Sequence, residues 1–360
     1  MTVRTAVVGL GWAGRELWLP RLADHADFDV VGVVDPAPAA RAALDAVPGV
    51  PVHPTVDALT AAAVDLAVVA VPNHLHAHVA AELLGKGVPV FLEKPVCLTS
   101  EEAGTLAAAE RDGGATLLAG SAAPHRADVN ALARLLPELG RIRHVDLSWV
   151  RARGIPRAGG WFTQRSKAGG GVLFDLGWHL LDTLAFLLGP ARFTQVVGMT
   201  SNDFVGAGAW SAAWRQDEPT AGTPGDVEDT ARGFLVRDDG VSVFLRAGWA
   251  SHEARDVTRV RVVGSAATAD LSCTFGFSPN RHPYARLTLT REGTTTSLPV
   301  PDEPVGTEYR RQLDGLAGFL ADPGRRGAAV DEARTAVRVI EGFYASARRA
   351  HEQTAVPAPH

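Results

Sequence analysis

The chain opens with short runs that are apolar at nearly every position: Thr5–Val8, Val30–Val34, Leu66–Val71, Pro89–Leu92 and Thr116–Ala119. Ala- and Leu-rich stretches with helical spacing separate them. Strands that are apolar on both faces and alternate with helices are what a parallel sheet covered on both sides requires. The pattern therefore predicts a doubly wound α/β domain over residues 1–121. After one more helix, expected at Val129–Leu136, the pattern changes to alternating apolar and polar positions in Arg143–Trp149, Ala231–Val236, Val241–Arg246, Val257–Val263 and Ala285–Thr290. Alternation predicts a large, mainly antiparallel, open sheet with one face on a helical layer, hence a C-terminal α+β domain over residues 122–350. The free sheet face predicts self-association into a homodimer or homotetramer. Gln216–Asp226 and Pro301–Gly306 read as loops, and residues 351–360 as a flexible tail, frayed from Gln353 onward.

Composition narrows the class. A chain of 360 residues with 46% hydrophobic content can bury more than one core, consistent with two domains. Its formal net charge of -5 comes from interspersed acids and arginines without a basic stripe, which argues against a nucleic-acid partner. Cys97 and Cys273 lie far apart and in no metal-ligand spacing, as expected in a reducing compartment. The start runs directly into a strand and a glycine turn, and no apolar run reaches the roughly 20 residues of a membrane helix, so a cytoplasmic location and no membrane partner are expected.

The chemistry begins at Gly9-Leu10-Gly11-Trp12-Ala13-Gly14, immediately after the first strand. Glycine there serves a tight turn, a close approach of backbone N–H groups to a pyrophosphate, and helix–strand packing. The second strand ends in Asp35, about 20 residues on, where a carboxylate accepts both ribose hydroxyls of NAD and repels the 2′-phosphate of NADP. NAD is thus favoured over NADP, a preference that Arg41 could soften. Glu93-Lys94-Pro95 follows a predicted strand at the carboxyl edge, where such sheets bind ligands, and Pro95 presents Lys94 from an extended turn. Only Lys86, Lys94 and Lys167 occur in the chain. Gly169-Gly170-Gly171 lets backbone approach a ligand, and the helix predicted after it sets Asp175, His179 and Asp182 at i, i+4 and i+7 on one face. His74, His76 and His78 alternate, but on a helix they diverge, so no metal site is expected. Trp149 and Trp249 read as core or sheet-face residues.

Gly9 to Gly14, Asp35, Val71-Pro72-Asn73 with His76, Glu93-Lys94-Pro95 and Gly169 to Asp182 occur in the order found in the Gfo/Idh/MocA family. The chain resembles that family, which includes glucose-fructose oxidoreductase and inositol dehydrogenase, over about residues 3–345; Glu228-Asp229-Thr230 looks like a later, less specific segment. The resemblance implies an NAD(P)-dependent oxidoreductase acting on CH–OH groups of a carbohydrate-like substrate, with its active site in the cleft between the domains. It implies that Lys94, Asp175 and His179 are catalytic. Lys94 bonds the reacting oxygen and the cofactor, His179 exchanges the hydroxyl proton, and Asp175 holds and polarises this unit. A histidine titrates near working pH and a cation at the developing oxyanion stabilises it, so the chemistry agrees. Cofactor contacts are implied for Gly9, Gly11, Trp12, Ala13, Gly14, Asp35, Pro36, Val71, Pro72, Asn73, His76, Glu93 and Lys94. Substrate contacts are implied for Lys94, His125, Arg153, Trp161, Asp175 and His179, with Arg157 or Lys167 as further lining. The chain departs from the family at Ser121–Arg126, where an Arg/aromatic-rich segment is usual. Three activities remain open: a sugar, aminosugar, cyclitol or nucleotide-sugar dehydrogenase; a glycoside hydrolase that uses NAD for transient oxidation; and a dinucleotide sensor without turnover.

Overall fold

The computed structural model describes residues 2–42, 49–156, 160–206, 210–212 and 225–354, so Arg157, most of the expected loop Gln216–Asp226 and most of the expected tail lie outside the described residues. The chain forms two compact units, Met1–Ser121 with Tyr309–Arg334, and Ala122–Glu308 with Thr335–His360.

In the first unit, β1 (Val3–Val8), β2 (Phe28–Val34), β3 (Val52–His53), β4 (Leu66–Val69), β5 (Val90–Leu92) and β6 (Leu117–Ala119) make one parallel sheet in the order β3-β2-β1-β4-β5-β6. The order reverses between β1 and β4, which creates the crevice that ligands use in such sheets. Ala6, Leu66, Ala67, Val68, Val90, Phe91 and Leu92 are fully buried, as strands covered on both faces must be. The short edge strand β3 carries no apolar run of its own, and the hydrophobic pattern passed over it. From the chain's far end, Tyr309 packs edge-on to Trp18 with ring centroids 5.8 Å apart, Gln312 donates to the carbonyl of Ala119 at 3.3 Å, and Gly327 N–H donates to Glu110 at 3.0 Å.

In the second unit an eight-stranded sheet runs β14-β13-β12-β11-β7-β10-β9-β8, with β7 Ile142–Val150, β8 Phe193–Ser201, β9 Thr230–Arg237, β10 Ser242–Gly248, β11 Val257–Gly264, β12 Thr268–Cys273, β13 Arg286–Arg291 and β14 Thr294–Leu298. It is antiparallel except for the β7–β10 pair. β8, β12 and β14 were not anticipated from the alternation, because Thr, Ser and Gly dilute it. One face is inward: Val145 and Leu147 of β7, Val243 and Leu245 of β10, and Val260 and Val262 of β11 are fully buried. The other leaves Val197, Met199, Phe234 and Phe244 exposed. The stretch Arg165–Leu188 has the length and apolarity of a membrane span, but 72% of its most apolar window is buried inside the protein, so it is core.

Candidate active site

Each cofactor-loop residue expected from the sequence lies at the carboxyl edge of the parallel sheet. Gly9 has φ +95°, and a Cβ there would sit 2.6 Å from the carbonyl oxygen of Ala70. A Cβ on Gly14 would lie 1.8 Å from the carbonyl oxygen of Gly9. A Cβ on Gly11 would meet nothing within 4 Å, so this glycine faces open space. Two glycines close the turn and the third keeps its outer surface clear, the arrangement a pyrophosphate needs. Trp12 precedes the helical segment Ala13–Trp18, in which Leu17 and Trp18 are buried.

Asp35 is tied to this loop. Its Oδ2 accepts from Leu10 N–H and its Oδ1 from Ala37 N–H, both at 2.8 Å. The Arg41 guanidinium donates to the carbonyls of Asp35 and Pro36 at 2.7 and 2.8 Å. The acidic side chain at the end of β2 is therefore both turn staple and fixed negative charge.

Val71, Pro72 and Asn73 connect β4 to the helix Asn73–Gly85, and Glu93 and Lys94 follow β5. His76 joins these two turns, with Nδ1 2.7 Å from the carbonyl of Pro95 and Nε2 2.8 Å from that of Val71. Two carbonyls favour the doubly protonated ring, but burial outweighs them and lowers the His76 pKa to about 4. The neutral ring thus donates to one of them. His74 and His78 are exposed while His76 is buried, so the three do not share a site. Among the described residues, no group of three His, Cys, Asp or Glu side chains could hold a metal ion. Glu93 accepts from Trp18 Nε1 at 2.6 Å and from Lys94 N–H at 3.0 Å. Its low-dielectric surroundings push its carboxyl above the usual range, against the pull of Lys94. The Lys94–Pro95 peptide is cis.

In the second unit, Asp175 and His179 stand four residues apart where a wide helical turn, Leu173–Gly177, enters the regular helix Trp178–Leu188. The triple glycine ahead of them has a packing role. A Cβ on Gly170 would lie 1.9 Å from the Tyr344 hydroxyl, and one on Gly171 1.9 Å from the Glu228 carbonyl. Glu228 explains the helix start: its carboxylate accepts from Gly171 N–H at 3.0 Å, Leu173 N–H at 3.1 Å and the Tyr344 hydroxyl at 2.7 Å. A carboxylate there meets the helix's unsatisfied donors and its positive dipole end. Burial raises the pKa of both Glu228 and Tyr344.

Three residues that the sequence reading set aside or missed surround Asp175 and His179. Trp249 Nε1 donates to Asp175 Oδ2 at 2.9 Å, Arg151 Nη1 lies 3.9 Å from the same oxygen, and the Trp149 ring is 5.5 Å from the His179 ring. Trp161 joins them through Phe162, which lies 4.8 Å from Trp161 and 6.0 Å from Trp249 between ring centroids. Arg153 bridges to Ala250 at the same end of the sheet, exposed, with its guanidinium 5.7 Å from the Trp210 ring. His125 ends a turn, Ala123–His125, that packs on the helix Trp178–Leu188. Its neighbour Arg126 pairs with Asp128 at 2.6 Å and Glu308 at 3.2 Å. Burial opposes the Arg126 charge, but these carboxylates overcome it and raise its pKa.

The geometry thus contains a dinucleotide cradle in one unit and a buried carboxylate with a nearby histidine in the other. Residues 3–121 match the oxidoreductase family with an NAD-binding Rossmann fold, and residues 136–270 match the GFO/IDH/MocA C-terminal domain. The chain is 70% identical over 358 residues to a candidate UDP-kanosamine synthase oxidoreductase subunit of Amycolatopsis mediterranei, covering 99% of each chain. It is 30% identical over 210 residues to the inositol 2-dehydrogenase of Rhizobium meliloti, covering 57% of this chain and 62% of that one. Its fold is similar to the crystal structure of GenD2 from gentamicin A biosynthesis in complex with NAD, with a TM-score of 0.75, 24% identity, and 97% and 95% of the two chains covered. The chain belongs to the Gfo/Idh/MocA family of NAD(P)-dependent oxidoreductases.

Proposed function

We propose that this oxidoreductase interconverts a secondary alcohol and a ketone on the sugar ring of a uridine-diphosphate sugar, using NAD. The observation that carries this reading is the 70% identity, over nearly the whole of both chains, to a protein whose name carries a UDP-aminosugar. An amine replaces a ring hydroxyl readily only after oxidation makes that carbon a carbonyl, which gives an oxidoreductase subunit a place in such a synthase.

The residues divide the work as follows. Gly9, Gly11 and Gly14 with Trp12 and Ala13 cradle the pyrophosphate, Asp35 and Pro36 take the ribose, and Val71, Pro72, Asn73, His76 and Glu93 shape the nicotinamide side. Bound nicotinamide supplies the hydride acceptor. As the carbonyl forms, His179 takes the hydroxyl proton, Lys94 donates to the oxygen on which charge develops, and Asp175 stabilises the resulting imidazolium. His125, Arg153 and Trp161 line the substrate side. The balanced products are ketone, reduced nicotinamide and one proton.

The fixed charge of Asp35 supports NAD over NADP. Absorbance at the reduced-nicotinamide band, followed while UDP-hexoses, free sugars, aminosugars and inositols are offered with NAD or NADP, tests substrate and cofactor together. Growth with a UDP-hexose and NAD is expected, and Asp35→Asn should shift the NAD/NADP ratio about tenfold towards NADP. Silence across the panel by an NAD-binding protein would overturn net dehydrogenation in favour of internally redox-neutral glycoside cleavage.

Cys97 and Cys273 are buried and neither forms a disulfide, which supports a reducing, cytoplasmic setting. The open sheet face supports a homodimer or homotetramer: Val197, Phe234 and Phe244 form one cross-strand row, and Val197 and Phe234 are 59% and 45% exposed. Light scattering should give a multiple of the chain mass that falls to the monomer in Phe234→Glu; an unchanged mass would remove this face from the interface.

A further inference from the structure

Arg151 follows directly on β7, two residues beyond Trp149 in the inward series Val145, Leu147 and Trp149, so a cation occupies a buried position at the end of an apolar strand face. The Arg151 and Asp175 side chains are each 6% exposed. Arginine does not shed its proton on burial, so a buried guanidinium needs an anion close by. Asp175 is that anion, with Oδ2 3.9 Å from Arg151 Nη1 and anchored by Trp249 Nε1 at 2.9 Å.

The surroundings leave the guanidinium little choice of place. A Cβ on Gly154 would lie 2.2 Å from Arg151 Cδ, and one on Gly276, at φ +73°, would lie 3.3 Å from the Trp149 ring and 3.8 Å from Arg151 Nη2. Arg151 Cζ is 5.2 Å from the Trp149 ring centroid, and that ring is 5.5 Å from His179. Cation, indole and imidazole therefore follow one another, while the carboxylate stands four residues before the histidine on the same helix.

We propose that Arg151, assisted by Trp249, is a positioning residue that sets the proton affinity of the Asp175–His179 unit. Balanced by a buried cation, Asp175 presents His179 with an ion pair in place of a bare negative charge, so the imidazole stays neutral and able to take a proton. Trp249 fixes which carboxylate oxygen faces the cation. The inference rests on the catalytic reading of Asp175 and His179 given above. Other charged or titratable groups stand on the elements that carry or pack against this pair: Asp182 on its helix, Glu228 at the start of that helix, and His125 on the turn packed against it.

Histidine-labelled holoenzyme, full chain with NAD, allows the His179 imidazole to be followed by NMR against pH, with His179→Gln as the assignment control. Arg151→Met should raise the midpoint by about one pH unit, since an opposing charge is lost. Arg151→Lys should return it to the native value, and Trp249→Phe should raise it by less. An unmoved midpoint in both Arg151→Met and Trp249→Phe overturns the proposal. Should Arg151→Met not fold, the Trp249→Phe midpoint decides alone: a rise supports the proposal and no change overturns it. A fully active His179→Gln enzyme would instead remove the catalytic reading, whatever the midpoints show.

Discussion

His179→Ala and Lys94→Ala are each expected to lower turnover of the sugar substrate about 10²–10⁴-fold, the range that one positioned proton acceptor or donor supplies. Neither glycine loop nor ribose anchor involves His179, so NAD affinity is expected to stay nearly unchanged in His179→Ala. Lys94 follows Glu93, whose carboxylate accepts from the Lys94 N–H. That bond uses backbone, survives alanine, and keeps the turn in place, so the loss in Lys94→Ala should fall on kcat with a smaller effect on cofactor binding. Steady-state rates combined with fluorescence titration of bound NADH separate the two effects. Undiminished kcat in either variant takes that residue out of the mechanism, and parallel losses in rate and affinity point to a disturbed fold.

A pair of alanine substitutions in the glycine loop should give opposite outcomes. Gly14→Ala places a methyl 1.8 Å from the Gly9 carbonyl oxygen, backbone against backbone, with no flexible side chain to give way. Overpacking of this kind costs about 1–3 kcal/mol or more, and here it also opens the turn that aims N–H groups at the pyrophosphate. Expected are a lower melting temperature and loss of NAD binding. Gly11→Ala meets no neighbour within 4 Å. The fold should melt as the native protein does, while NAD binds about tenfold or more weakly because the methyl stands where the phosphates approach. Calorimetry of both variants, with and without NAD, reads the difference. A Gly11→Ala protein that binds NAD normally would place the pyrophosphate elsewhere.

The parallel sheet was legible because buried strands write themselves as apolar runs, and the glycine loop because its spacing follows backbone sterics. β3 was lost because two edge residues carry no periodicity, and β8 and β14 because Thr and Ser blur the alternation. Around the candidate site, Asp175 and His179 were visible as ionisable residues on one face of an apolar helix. Arg151 was missed, although its signal was present: an arginine that continues the inward positions Val145, Leu147 and Trp149 must find an anion. Trp249 carried less warning, since an indole at an inward position is ordinary core until its N–H is seen to meet a carboxylate. Glu228 belonged to the segment of least specific resemblance, and only the fold shows it holding the start of the helix that bears Asp175.

All six strands of the cofactor unit are translated before residue 120, but residues 309–334 complete it, through Tyr309 on Trp18, Gln312 on Ala119 and Gly327 on Glu110. A nascent chain must therefore carry this unit unfinished, with one side of Trp18 uncovered, until nearly the whole protein has left the ribosome. Order of synthesis and order of completion are inverted: the half that begins first closes among the last.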